Sequence, residues 1–193
     1  MEEKSTSIFK GALIPGVILG VILIIISLIS YIFDLITIGL YAGAVVSLCA
    51  FIIRIIILAV FTTKFRNDVL GGFMKYGKAL VFGIIIGVYA SVIISAYTFV
   101  FNTVIDTEYT KTVTEKVQNM TIENLTAKGL PDEIIEKTIE KMESKELPSP
   151  LKTSLLVIAS GIFFSVLASL ISSIFAKKNE DPYLNAMEDI NEE

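Results

Sequence analysis

Apolar residues gather in four long stretches, roughly residues 8–33, 36–61, 79–105 and 151–176, with none of the alternation that marks a half-buried strand or a solvated helix. Each is about 26 residues, or about 39 Å as a helix, enough to cross a ~30 Å hydrocarbon core with tilt. The pattern predicts an all-α integral membrane protein, a four-transmembrane-helix bundle.

Charges between these stretches set the expected topology. Lys4 and Lys10 precede or open the first span, Lys64, Arg66, Lys75 and Lys78 separate the second from the third, and Lys177 and Lys178 follow the fourth. The short turn after the first span holds Asp34 and no basic residue. By the positive-inside rule both termini and the middle loop are cytoplasmic, and the long third connection, residues 106–150, lies outside. That connection carries six lysines and ten carboxylates, so it accounts for the whole net charge of −4. Long loops translocate largely regardless of charge.

The third connection has helical periodicity of its own. Glu108 to Lys128 reads as one helix, Gly129 as its C-terminal cap, and Pro131 as the opening of a second helix with Asp132 and Glu133 in its first turn. Val113, Val117 and Met120 share one face, and Ile135, Ile139 and Met142 share another, so the two helices are expected to pair as an extracytoplasmic hairpin between helices 3 and 4. The expected organisation is thus a four-span membrane domain over residues 1–178, followed by a flexible acidic cytoplasmic tail over residues 179–193.

Lipid offers no hydrophobic gain when apolar helices associate, so small residues that admit close backbone approach carry the packing. Ala79, Gly83, Gly87, Ser91 and Ser95 recur every four residues in the third span, and Gly161, Ser165, Ser169 and Ser173 do so in the fourth. The first span offers Ala12, Gly16 and Gly20, and the second Gly39, Gly43 and Ser47. These are read as intramolecular packing seams, with association between copies as the lesser use.

Composition agrees and narrows the chemistry. Of 193 residues, 53% are hydrophobic and 19% charged, with mean hydropathy +0.72. There is no His, and the single cysteine, Cys49, sits in an apolar run. A Ser-His-Asp triad cannot form, no imidazole or thiolate cluster can hold a metal, and the scattered lysines do not form a nucleic-acid stripe. The expectation is no catalysis, no cofactor, no metal and no nucleic acid. Arg54 is the one charge well inside a span, about eight residues from the expected end of its helix near Thr62. Either it snorkels toward the headgroups or packs, or it lines an ion or substrate path; the lack of a carboxylate inside the spans favours the former.

The middle loop carries the most distinctive local pattern: Arg66-Asn67-Asp68, then Leu70-Gly71-Gly72-Phe73, then Tyr76-Gly77-Lys78-Ala79 leading into the third span. The paired glycines permit a tight turn with positive φ. With these features the chain resembles the Bacteroidota membrane proteins grouped as domain-of-unknown-function family 4199. Four spans, a basic end to the second helix, a Gly-Gly-aromatic turn, a Gly-Lys-Ala lead into the third helix and a charged helical outer loop are shared, up to about Lys178. The resemblance implies a bacterial inner-membrane location and carries no activity, cofactor or site residue.

The function expected from these features is that of a non-catalytic inner-membrane protein. It would be a subunit of a membrane complex or an assembly factor, its partners being the bilayer and a membrane protein or second copy met through the outer hairpin. The alternative is a small oligomeric transporter or channel built on Arg54 with Ser91, Tyr97 and Thr98.

Overall fold

The computed structural model describes residues 2–35, 40–144 and 147–179. Among these the fold is all-helical: α1 (Glu2–Ile32), α2 (Leu40–Val69), α3 (Tyr76–Val100) continued by a π-helical turn (Phe101–Ile105), α4 (Tyr109–Ala127), α5 (Asp132–Glu143) and α6 (Pro150–Ala176). The four apolar helices that can cross a membrane are Ile8–Ile32, Tyr41–Val69, Tyr76–Ile105 and Pro150–Ala176. The only extended pairing among the described residues is an isolated antiparallel bridge between Met74 and Lys178. Gly39 and residues 180–193, most of the expected tail, lie outside the described residues.

α2 runs beyond the apolar limit at residue 61, because backbone hydrogen bonding does not need apolar side chains and Lys64 and Arg66 are good helix formers. It ends only where Gly71 and Gly72 take φ of 68° and 90°, conformations that side-chain-bearing residues resist. Arg54 consequently sits near the middle of its helix.

The chain forms two compact units. The first contains α1 to Val21, α2 from Phe51, α3 to Ile93 and α6 from Ala159. Its core includes Ala12, Leu19, Leu58, Phe65, Phe82 and Ile86, with Phe65 and Phe82 stacked at 4.2 Å between ring centroids. Gly16 brings α1 against Ile86 and Tyr89 of α3, and Gly11 lies against the ring of Phe65. The second unit contains α1 from Ile22, α2 to Ala50, α3 from Ile94 with the π turn, α4, α5, and α6 to Ile158.

Large apolar side chains stay exposed on every spanning helix, among them Ile14, Val45, Val81 and Phe163. So much uncovered apolar surface is incompatible with water and suits lipid. Coverage is uneven: 44% of the most apolar stretch of the third span is buried but only 11% of that of the second, so more of α3 than of α2 is covered by protein.

In the second unit α4 and α5 fold back on each other. Gly129, at φ 65°, ends α4 as a left-handed cap, its N–H bonding the Thr126 carbonyl at 2.9 Å while that of Leu130 bonds Leu125 at 3.3 Å. Pro131 then opens α5, whose first turn holds Asp132 and Glu133 at the positive end of the helix dipole and whose last turn holds Lys141.

Candidate functional site

Three constellations and one turn carry the candidate groups; the first two and the turn gather residues that sequence singles out. The first is the contact of α3 with α6. Gly83 faces Ser169, Gly87 faces Ser165 and Gly161 faces Ser91, each pair one four-residue step along an antiparallel register. A Cβ on Gly83 would approach the Ser169 Cβ to 3.1 Å, and one on Gly161 the Ser91 Cβ to 3.0 Å. Each serine thus fills the hole left by a glycine opposite. The serine hydroxyls are satisfied without water: Ser91 Oγ donates to the Gly87 carbonyl, Ser165 Oγ to Gly161, and Ser169 Oγ across the contact to Leu80 at 2.8 Å. Gly16 and Gly20 of α1 meet Tyr89 and Ile93 of α3 instead. Gly43 departs from the expected intramolecular seam. Among the described residues nothing lies within 4 Å of where its Cβ would project, and the neighbouring part of α2 leaves Tyr41, Val45 and Leu48 uncovered.

Arg54 is the second. It is 8% exposed, on a buried stripe of α2 with Leu58, Thr62 and Phe65, and its Nη1 donates to the Gly161 carbonyl at 3.4 Å. The burial of this side chain fits the packing alternative and not snorkelling, because the stripe turns it toward α6 and the helix continues well past Thr62. Arg54 Nε, Thr62 Oγ1 and Ser173 Oγ are buried with no hydrogen-bond partner. Of the other polar groups expected on a path, Thr98 Oγ1 is spent on the Ile94 carbonyl.

The Arg66 to Lys78 turn closes the same unit. Arg66 Nη1 donates to the Ala176 carbonyl at 2.8 Å, placing a cation on the exposed carbonyls at the end of α6. The Gly72 N–H returns to the Arg66 carbonyl at 3.0 Å, which is what the paired positive-φ glycines permit. Met74 and Lys178 exchange backbone hydrogen bonds of 2.8 and 3.0 Å, and the Lys178 ammonium sits 5.4 Å from the Phe73 ring centroid. Lys78 begins α3 half-buried, its N–H on the Lys75 carbonyl.

The third constellation, in the second unit, holds α4 in place and was not legible in sequence. Thr98, Asn102 and Thr103 each bond a carbonyl four residues back, and the π turn that follows closes with the Asp106 N–H on the Phe101 carbonyl at 2.9 Å. Phe101 is thereby buried among Tyr31, Tyr97 and Tyr109, at centroid distances of 5.0, 5.6 and 5.3 Å. The buried Asn102 accepts from Thr110 of α4 at 2.8 Å, and Tyr31 donates to Asp106 at 3.2 Å. A cavity of about 40 Å³, on the scale of one water, lies among Ser27, Tyr97, Thr98 and Asn102. Burial, reinforced by Asp34 and other neighbours, raises the Tyr109 phenol above its ordinary value, so it stays neutral.

Lys116 of α4 also reaches Asp34 at 2.8 Å. Asp34 is exposed and Lys116 half-buried, so Lys116→Ala should change thermal stability by under ~1 kcal/mol, with the difference shrinking in high salt. A melting curve at two salt concentrations checks this, and a larger loss would make the pair a principal anchor.

Among the described residues no three His, Cys, Asp or Glu side chains come together as a metal site. Comparison with curated proteins and with solved structures finds no match. A family model described as "Protein of unknown function (DUF4199)" matches residues 15–178. That match takes in most of the first span and all of the other three, the glycine turn, the seam of α3 with α6 and the helical hairpin, and the chain therefore belongs to the DUF4199 family of proteins of unknown function.

Proposed function

We propose that the chain is a non-catalytic inner-membrane protein of a bacterium that serves as a subunit or assembly factor of a membrane complex, with α4 and α5 as its contact element. One observation carries this reading: the hairpin is held firmly at its base and poorly covered along its length. Tyr109, Thr110 and Lys116 tie α4 to the ends of the spans, yet α4 contains no buried residue, and Val117 and Ile134 are 38% and 47% exposed. A hairpin built only to cover its own spans would bury one of these faces. A second chain laid on it gains that apolar area at about 25 cal/mol per Å² before the costs of association.

Lysine distribution supports an orientation with both termini and the Arg66 to Lys78 turn in the cytoplasm and the hairpin outside. Deleting residues 108–146 should leave membrane insertion intact and remove the proteins that co-purify after mild solubilisation. Retention of the same set in the deleted form would count against the hairpin as the contact element. The buried Arg54 favours a second reading, a small oligomeric transporter or channel. Ion flux in proteoliposomes distinguishes them, since a scaffold is silent.

A further inference from the structure

The first unit buries a positive charge that no carboxylate among the described residues is shown to pair with. Arg54 Nη1 has one long hydrogen bond, to Gly161, and Nε has none. No carboxylate occurs in Ile8–Ile32, Tyr76–Val100 or Pro150–Ala176, and the nearest on α2 is Asp68, about 21 Å along the helix. Arg66 shows the contrast, with Nη1 on Ala176 and Nε on Asn67 at 3.0 Å. The Arg54–Gly161 and Arg66–Ala176 contacts set α2 beside α6. Two further buried and unpartnered hydroxyls, Thr62 Oγ1 and Ser173 Oγ, occur along the stretch between them.

A water molecule would satisfy the Nε–H but not the charge, whereas buried ions in membrane helices are paired. A lipid phosphate is too far away, since twelve residues, about 18 Å, separate Arg54 from Arg66 near the helix end. The close-packed Gly161, Ser91 and Ser165 favour a compact ion over an organic anion. We propose that Arg54 binds a small monovalent inorganic anion of the size of chloride, with its Nε–H as the principal donor, and that the unpartnered Thr62 and Ser173 hydroxyls mark the polar line by which the ion enters from the Arg66 end.

The test uses the full-length protein in a nonionic detergent, with sodium gluconate replaced by sodium chloride at constant ionic strength. The apparent melting temperature should rise with the logarithm of chloride concentration, by about 5 °C at a hundredfold excess over the dissociation constant, as expected for a ligand that binds only the folded state. Arg54→Gln should abolish the response while circular dichroism remains helical, and Thr62→Val should leave its size unchanged while slowing its development after chloride is added. A response that is linear in chloride over the whole range, or that persists in Arg54→Gln, overturns the proposal as a general salt effect. Stabilisation by phosphatidylglycerol with none by chloride overturns it in favour of a lipid headgroup. Should Arg54→Gln fail to fold, bromide replaces chloride in crystals of the wild type. Anomalous density within hydrogen-bond distance of Arg54 Nε sustains the site, and its absence refutes it.

Discussion

Gly87→Leu is expected to cost at least about 3 kcal/mol and to prevent isolation of a monodisperse protein, because the new side chain would occupy the position of the Ser165 Cβ. Even Gly87→Ala should destabilise. Alanine recovers about 1 kcal/mol of helix propensity, but its methyl group overlaps Ser165, and forcing two packed helices apart costs about 1–3 kcal/mol. Gly43→Ala is the matched control. Among the described residues no neighbouring atom lies within 4 Å of its Cβ position, so it should be neutral or gain up to about 1 kcal/mol. Adding Ser165→Gly to Gly87→Ala should restore part of the loss, since the pair is in direct contact and therefore non-additive. Thermal unfolding in detergent followed by size exclusion measures all four, and wild-type stability for Gly87→Leu would refute the contact of α3 with α6 as a principal support of the fold.

Phe101→Ala should have the next largest effect, about 3–5 kcal/mol locally, with release of the hairpin rather than loss of the spans. Its ring is buried and lies edge-on to both Tyr31 and Tyr109, each such pair adding about 0.5–1.5 kcal/mol beyond burial. Limited proteolysis should then cut within Tyr109–Glu143 far faster than in the wild type, while the helical signal of the spans persists. Tyr31→Phe keeps the ring and removes only the exposed hydrogen bond to Asp106, so it should change cleavage little. Equal protection of Phe101→Ala and wild type would mean that the polar contacts of Thr110 and Lys116 hold the hairpin without the aromatic cluster.

The hairpin shows how far local pattern reaches. Gly129 and Pro131 announce an α4 end and an α5 start because a left-handed cap and a proline first turn are conditions on one or two residues. The anchors of the same hairpin are invisible locally. Asn102, Thr110, Tyr31 and Asp106 are unremarkable polar and aromatic residues until the π turn aims Phe101 and Asn102 inward; the apolar heptapeptide around Asn102 places it at the end of a span without saying which way its side chain faces. Gly43 shows the opposite limit. Its spacing from Ser47 is the same as that of Gly83 from Gly87, yet among the described residues Gly83 and Gly87 meet another helix and Gly43 does not, because spacing defines a stripe and not the direction the stripe faces.

Sequence by itself determined the number of membrane-crossing helices, the four-residue rhythm of small residues on each, and the presence of two short polar helices between the third and fourth spans. These depend on hydropathy and hydrogen bonding within a few residues of chain. Only the tertiary structure decided that Gly87 receives Ser165, that Arg66 caps Ala176, and that Arg54 turns inward to Gly161 instead of outward to lipid. Each joins residues 78 to 110 positions apart, and each depends on the rotation and sliding of one helix against another, to which a helix's own backbone hydrogen bonds are indifferent.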